Sequence, residues 1–287
     1  MSTQLKNISI ILPACNEAAA LSDFLPKLVK KYSAAEIIII NDGSSDATTE
    51  VAGSFPVDVV TIPYQMGNGA AIKAGARKAG RDILVFMDAD GQHDPDDIQT
   101  LLDEMNKGYD MVVGARSGNS HASIFRKFAN YLYNKIATWV TGHFISDLTS
   151  GFRAVNAKKF NEFLYMLPNG FSYPTTITMA FFRSGYSVSY VPIKISERTG
   201  NSHIKPLKDG IKFFLIIFRV GTYYSPLKIF FPVSLVLFFM GISNYVYTYY
   251  TISRFTNMSA LLFLSSIFIF LIGLISEQIT SLMYQKK

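Results

Sequence analysis

The sequence predicts an α/β domain on a mainly parallel sheet, followed by a C-terminal two-helix transmembrane hairpin. Short β-branched runs alternate with helical patterns through most of the chain, which is the signature of strand–helix–strand units. Acids and turn-forming residues follow three of those runs directly. Two stretches near the C-terminus, 229–253 and 255–276, contain no charged residue, and each exceeds the roughly 20 apolar residues that cross a bilayer core.

Strands are expected at 8–12, 37–40, 57–62, 83–87, 111–113 and 188–193, where Ile and Val dominate. Helices are expected at 17–32, 46–54, 69–79, 95–107 and 123–141. Ser45 or Asp46 can cap the second, and Asp94 followed by Pro95 is a helix entry. Alternation of this kind predicts that ligands bind beyond the carboxyl ends of the strands.

The C-terminal stretches are expected to form spans at about 229–251 and 257–278, with Arg254 between them. Buried core helices are the alternative, but soluble helices rarely stay apolar on every face for this length. Lys194, Arg198, Lys205, Lys208, Lys212, Arg219 and Lys228 precede the first span, opposed only by Glu197 and Asp209. Lys286 and Lys287 follow the second. Basic outer flanks predict cytoplasmic termini, and Tyr245, Tyr247, Tyr249 and Tyr250 fit an interfacial aromatic belt. Glu277 reads as an interface residue closing the second span. The expected organisation is a catalytic domain at 1–204, a basic juxtamembrane region at 205–227 and the hairpin at 228–287. Residues 206–224 fit either an amphipathic helix in the headgroup layer or a linker helix packed on the domain.

Composition agrees. Only 17% of the 287 residues are charged, against about 25% in a typical soluble domain. The net charge of +6 favours anionic partners, but its clustering beside the spans argues against nucleic acid. The single cysteine, Cys15, excludes an intrachain disulfide and reads as a small buried residue rather than a reactive thiol. The apolar run at 8–12 is too short for a secretory leader, so the N-terminal domain is expected in the cytoplasm.

The chemistry is written after the strands. The first expected strand is followed by Pro13 to Glu17, the second by Asn41 to Asp46, and the fourth by Asp88 to Asp94. Capping accounts for Asp46 and Asp94 but not for Asp42, Asp88 or Asp90. Asp88 and Asp90 lie two apart beyond an apolar strand and so share a face. Two converging carboxylates repel, and a divalent cation removes that cost. Mg²⁺ takes one or two carboxylates plus substrate phosphates, and Gln92 can add a neutral oxygen. His93 is a poorer ligand for a hard cation. No phosphate-loop, dinucleotide or nucleophile-elbow motif is present, and the four histidines lack metal-cluster spacing.

These residues resemble a known family. P-A-C-N-E (13–17), N-D-G-S-S-D (41–46), D-A-D-G-Q-H-D-P (88–95), D-L-T-S-G-F-R (147–153) and R-T-G-N-S (198–202) together look like family 2 glycosyltransferases with the GT-A fold. More narrowly, they are similar to polyprenyl-phosphate glycosyltransferases, including dolichol-phosphate mannose synthases and undecaprenyl-phosphate glucosyltransferases. The resemblance implies a Rossmann-like sheet and a nucleotide-sugar donor, UDP-hexose or GDP-mannose. It implies that Pro13, Glu17 and Asp42 line the base and ribose pocket, and that Asp88, Asp90 and Gln92 hold Mg²⁺ or Mn²⁺ at the diphosphate. Arg153, Arg198 and Ser202 would hold phosphates. Arg116 and Arg126 fit either phosphate binding or a solvated basic face. Asp147 could orient the sugar or brace the turn at Gly151. A homo-oligomer is compatible with the resemblance.

The sequence departs from many relatives at 171–182, F-S-Y-P-T-T-I-T-M-A-F-F, where a carboxylate base is absent. A hydroxyl acceptor needs that base. A lipid phosphate, with a second pKa of about 6, is already anionic. The expected reaction is therefore inverting transfer of one sugar to a polyprenyl phosphate at the cytoplasmic face of a bilayer. Its alternatives are a polysaccharide synthase and a non-catalytic membrane scaffold.

Overall fold

Period-2 alternation of buried residues organises the domain. The computed structural model describes residues 6–116, 124–170, 173–194, 218, 221–222 and 224–285, with only the backbone at 124–130 and 285. Arg198, Ser202, the Arg126 side chain and most of the basic juxtamembrane region lie outside the described residues. Seven strands, β1 (Ile8–Ala14), β2 (Glu36–Asp42), β3 (Asp58–Ile62), β4 (Ile83–Phe86), β5 (Met111–Arg116), β6 (Arg153–Asn156) and β7 (Val188–Ile193), form one sheet. Its order is β3-β2-β1-β4-β6-β5-β7. Only β6 is antiparallel to its neighbours.

One face of the sheet, with Ile8, Ile10, Leu12, Ile37 and Ile39, packs on α1 (Ala18–Lys31), α2 (Thr48–Gly53) and α4 (Asp97–Met105). The other, with Ile11, Ile38, Ile40, Leu84 and Phe86, packs on α3 (Asn68–Lys78), α6 (Ala157–Asn161) and α7 (Tyr173–Arg183). The remaining domain helix, α5 (Ile124–Thr141), contributes Tyr133, Ala137 and Val140 to a smaller cluster. Residues i and i+2 of each strand thus serve one layer and i+1 the other. The mainly parallel α/β prediction holds.

Two elements carry no sequence signal. β6 is four residues long and opens with an arginine. α7 is buried on all faces from Tyr173 to Phe181, so it shows no amphipathic period.

The order of the sheet sets the site. β2, β1 and β4 are adjacent and parallel, so their carboxyl ends lie side by side. Ile11 pairs with Phe86, and the Met87 N–H donates to the Ile11 carbonyl at 3.1 Å, so the two chains leave the sheet together. Connections run to opposite sides across β1 and β4, which makes this the crevice where open α/β sheets bind ligands.

Beyond the domain stand α8 (Pro226–Ile252) and α9 (Asn257–Gln285), of 27 and 29 residues. Both are long and apolar enough to cross a membrane. At 1.5 Å per residue they reach about 40 Å, more than the roughly 30 Å hydrocarbon core. Their apolar side chains point outward, with Val236 58% and Phe268 62% exposed, as lipid-facing helices require and core helices do not. α9 outlasts the expected span, and its last turns pack on the domain. The Tyr165 hydroxyl donates to the Met283 carbonyl at 2.7 Å, and Tyr284 sits against Phe163.

Arg153 requires a correction. The expected phosphate ligand is 0% exposed, at the start of β6 in the core. Its guanidinium donates to the Pro174 carbonyl at 3.1 Å, to Thr178 Oγ1 at 3.2 Å and to the Ser150 carbonyl, and lies over the Tyr173 ring. Burial lowers its pKa, against the opposing influence of Tyr173, Tyr190, Asp147 and Asp88. It therefore ties β6 to α7 beneath the site rather than reaching into it. Arg153→Ala is expected to destabilise the fold by about 2–4 kcal/mol, through a cavity and stranded carbonyl acceptors. Arg153→Met should recover part of that loss. Thermal denaturation checks the stability, and a raised donor KM with an unchanged melting temperature would return Arg153 to the phosphate.

Candidate active site

The loops after β1 and β2 are stitched to each other. Asn16, in the left-handed region at φ 60°, accepts from the Ser45 N–H at 2.8 Å, and its own N–H donates to Ser44 Oγ at 3.0 Å. The Glu17 N–H donates to Thr48 Oγ1 at 3.0 Å, and the Ala18 N–H to Asp46 Oδ2 at 3.2 Å. These bonds hold P-A-C-N-E against N-D-G-S-S-D as one wall. Gly43 turns that wall at φ 65°, where an added Cβ would lie 2.5 Å from the Gln65 nitrogen. Burial, then Asp42, Glu17 and Asp46, raise the pKa of the Cys15 thiol. Cys15 is partly exposed, not buried as expected, yet its thiol stays protonated among acids.

Asp42 sits inside the wall, 4% exposed. Its oxygens accept from the Met66 and Gly67 N–H groups at 2.7 and 2.8 Å. The carboxylate that capping left unexplained in the sequence therefore organises the loop ahead of α3. That loop delivers Asn68, whose side chain hydrogen-bonds Asp88.

Asp88 and Asp90 follow β4 on a loop that turns at Ala89 and Asp90, with Ala89 buried between them and both acids partly exposed, so the expected strand continuation stops at Phe86. Burial, then the Asp90 charge, push the Asp88 carboxyl up to about 6, against the Asn68 hydrogen bond and the Arg116 charge. Glu17 adds a further repulsion, which brings the β1 loop electrostatically beside the β4 loop. The Asp90 carboxylate accepts from the Gln92 N–H at 3.2 Å, which bends the loop back on itself. His93 packs inward instead, 7% exposed and stacked on Phe152 at 4.7 Å, and burial lowers its pKa to about 4.

Among the described residues, no three His, Cys, Asp or Glu side chains converge as a closed metal cage. The candidate donors are instead two carboxylates on one loop, of which Asp88 lines a cleft, with Asp90 and Gln92 partly exposed on the same loop. All-oxygen donors with free positions suit Mg²⁺ or Mn²⁺ completed by substrate phosphates.

The cleft has a volume of about 150 Å³ and is lined by Asn68, Asp88, Thr149, Gly151, Gly170, Tyr173, Pro174 and Thr175. That is below the roughly 300–1,000 Å³ of a typical ligand pocket, so it can seat one part of a nucleotide-sugar and not the whole. Its floor is rigid. The Tyr173 hydroxyl donates to the Gly151 carbonyl at 3.2 Å, and the Tyr133 hydroxyl to Thr175 Oγ1 at 2.8 Å. A Cβ on Gly151 would stand 3.3 Å from Asp88 Oδ2, so the backbone approaches this acid closely.

The nearby cations are engaged. Arg116 grips Asp147 with two bonds, Nε to Oδ2 at 2.6 Å and Nη2 to Oδ1 at 2.9 Å, and also reaches Thr149. Burial alone would raise the Asp147 carboxyl, but Arg116 outweighs it and holds the pKa below the usual range. Asp147 accepts the Thr149 N–H as well, so of its two expected roles the geometry favours bracing the turn. Lys73 donates to the Leu167 carbonyl at 3.1 Å and to Asn169.

Of the expected site residues, Pro13 and Asp42 stand at the carboxyl ends of β1 and β2, and Glu17, Asp88, Asp90 and Gln92 follow β1 and β4, all at one end of the sheet. Sequence reasoning missed Asn68, Thr149, Tyr173, Pro174 and Thr175. Gly67 and Gly69 around Asn68 mark a close backbone approach to residues 168–170, a signal the glycines carry in the sequence. Tyr173 to Thr175 drew notice only for the acid they lack.

Comparisons with known proteins agree with this geometry. Residues 9–164 match the family described as glycosyl transferase family 2, and residues 225–282 match the GtrB C-terminal hairpin. An undecaprenyl-phosphate 4-deoxy-4-formamido-L-arabinose transferase of Aeromonas hydrophila subsp. hydrophila is 37% identical over 53% of this chain and 50% of its own length. The chain thus spans about half the length of the transferases of this name that it matches. Glycosyltransferase AglJ of Haloferax volcanii is 25% identical over 85% of this chain and 81% of its own length. The fold is that of glucosyl-3-phosphoglycerate synthase from Mycobacterium tuberculosis, in complex with Mn²⁺, uridine diphosphate and glucosyl-3-phosphoglycerate. It superposes with a TM-score of 0.60 at 18% identity, over 77% of this chain and 82% of that one. With a family match over more than half of its 287 residues and a mainly parallel sheet whose strand ends meet at one cleft, the chain belongs to glycosyltransferase family 2.

Proposed function

We propose that this protein transfers one sugar, with inversion, from a nucleotide-sugar to a polyprenyl phosphate at the cytoplasmic face of a membrane. The observation that carries the reading is Asp88, which lines the cleft two residues from Asp90 while the described neighbouring cations, Arg116 and Lys73, are already bonded elsewhere. An anionic diphosphate can approach such a rim only with a divalent cation, Mg²⁺ or Mn²⁺. Fold neighbours solved with Mn²⁺ or Mg²⁺ and uridine diphosphate support this choice of metal. The names of the undecaprenyl-phosphate transferase relatives support the acceptor, as does the GtrB-type hairpin. Basic flanks outside the spans support cytoplasmic termini.

In this reading Asp88, Asp90 and Gln92 hold the cation, and Asn68 orients Asp88. A cation held by these residues would supply neutralisation of the charge that grows on the departing nucleoside diphosphate. Pro13 and Glu17 border the nucleotide, while Asp42 keeps the loop to Asn68 in place. The acceptor phosphate oxygen attacks the anomeric carbon as the bond from that carbon to the diphosphate breaks. The acceptor is already ionised, so α7 can line the cleft with Tyr173, Pro174 and Thr175 and supply no base. Arg198 and Ser202 are assigned to phosphate binding on their motif alone. Sugar and nucleotide, UDP-hexose or GDP-mannose, follow from a donor panel. Labelled nucleotide-sugars incubated with membranes and polyprenyl phosphate should carry label into the organic phase for one donor. Label in polymer instead would identify a polysaccharide synthase, and donor binding without turnover would identify a scaffold.

Asp90→Ala is expected to abolish transfer while leaving the melting temperature near wild type, because the side chain braces only its own loop. Normal transfer by that variant, assayed with added Mg²⁺ or Mn²⁺, would remove the cation from the reading. For Asp88 the sign is definite. Its folded pKa, about 6 against a reference of 3.8, means that the metal-free fold binds this proton more tightly than the unfolded chain. Stability from this group is therefore complete below the reference value and is lost as pH rises through about 6. Asp88→Asn should raise the metal-free melting temperature near neutral pH yet eliminate metal-dependent stabilisation. In the wild type, the metal concentration for half-maximal transfer should climb as pH falls through about 6, where a proton competes for the carboxylate. Titrations of thermal stability and activity with Mg²⁺ across that window check both.

A further inference from the structure

We propose that Arg183 and Glu277 form a joint that fixes the height of the cleft over the membrane, which makes both positioning residues for the lipid acceptor. The inference rests on the acceptor being membrane-bound, as proposed above. α7 begins in the cleft, where Tyr173, Pro174 and Thr175 line the wall. It is buried through Phe181 and spans 11 residues, about 16 Å of rigid helix. Its last residue, Arg183, leaves the domain for the hairpin. Nη2 lies 3.3 Å from Glu277 Oε1 and 3.4 Å from Ser281 Oγ, and the guanidinium sits over the rings of Tyr284 and Tyr224 at 5.1 and 5.8 Å.

Glu277 also closes the hairpin. Its other oxygen accepts from the Leu227 N–H and from Ser225 Oγ, both at 3.3 Å, so one carboxylate joins α9, the first turn of α8 and α7. The side chains of Arg183 and Glu277 are only 19% and 24% exposed, so the pair is screened from water, unlike the surface pairs that contribute little. Residues 257–276 of α9 rise about 30 Å, the thickness of the hydrocarbon core, which puts Glu277 at the first level where a charge is tolerated. The other bonds between domain and hairpin, such as Lys228 Nζ to the Val140 carbonyl at 2.9 Å, reach carbonyls at element ends. Among the described residues that bond to the hairpin, only Arg183 sits on the helix that forms the cleft at its opposite end.

The functional consequence follows from confinement. A soluble donor reaches the cleft at any height, whereas an acceptor phosphate held by its lipid has a fixed depth. Catalysis needs reacting atoms about 3–3.5 Å apart, and a misplacement of about 1 Å can cost on the order of 100-fold. A loosened joint therefore penalises the long-chain acceptor alone.

The experiment uses the full chain in nanodiscs, with Glu277→Gln, Arg183→Met and Arg183→Lys. Glu277→Gln keeps an acceptor for Leu227 and Ser225 but removes the ion pair. Kinetics are measured with a long-chain polyprenyl phosphate in the disc, with a short water-soluble isoprenyl phosphate, and for the donor. The expected result for Glu277→Gln and Arg183→Met is an apparent KM for the long-chain acceptor raised about 10-fold, with donor KM and short-acceptor turnover unchanged and partial recovery in Arg183→Lys. The single tryptophan, Trp139, is 55% exposed and adjoins Val140, so its quenching by spin-labelled lipids reports the height of the domain. That quenching should change with the joint. Wild-type long-chain kinetics with unchanged Trp139 quenching in Glu277→Gln would overturn the joint, as would equal losses with both acceptors. A wild-type protein that glycosylates neither acceptor would overturn the proposed function instead, and the quenching would still judge the joint.

Discussion

Two like charges held at the mouth of a buried sheet are the constraint from which the rest follows. Asp88 and Asp90 cannot separate, because Ala89 between them is packed into the core and β4 behind them is fully paired. Burial and mutual repulsion raise the Asp88 carboxyl to about 6, so the site stores an electrostatic cost in its metal-free form. A cation with an anionic ligand relieves that cost. In the proposed reading, discrimination in favour of a metal-bound diphosphate would come from this loop geometry without a dedicated metal cage.

The surrounding residues keep that arrangement from relaxing. Arg116 could neutralise the acids, but Asp147 and Thr149 hold it in a fork at one side. Arg153 lies beneath, tied to carbonyls of the Ser150 turn and of α7, where its charge favours the ionised acids without touching them. Asp42 spends both oxygens on the loop that carries Asn68, and Asn68 in turn orients Asp88. A charged side chain in each case trades direct contact with substrate for control of the backbone that makes contact. This division of labour gives a site on loops the rigidity usually found in strands and helices.

The hairpin adds a second constraint. Its helices expose apolar side chains along most of their length, and the last turns of α9 meet the domain through polar contacts. There Tyr165, Arg183 and Tyr284 engage it. A transferase domain on a freely swinging anchor would meet a lipid phosphate at every angle. In the proposed reading, a cleft-forming helix that ends in a bond to the anchor would present the cleft to it at one.

Much of this was legible in the residues alone. Six of the seven strands announced themselves as Ile- and Val-rich runs, and the hairpin as two charge-free stretches, because period and composition are local properties of the chain. The grouping of Pro13, Glu17, Asp42, Asp88 and Asp90 at one sheet end also followed, since parallel strands send their carboxyl ends the same way. β6 and α7 did not, because a strand of four residues and a helix buried on every side have no periodic signature. Nor could the sequence say that Arg153 faces inward while Gln92 faces out, or that Arg183 and Glu277, 94 positions apart, meet at 3.3 Å. An arginine reads the same beside a phosphate or beneath a sheet. Only packing between distant segments, which fixes what each side chain is buried against, decides which it is.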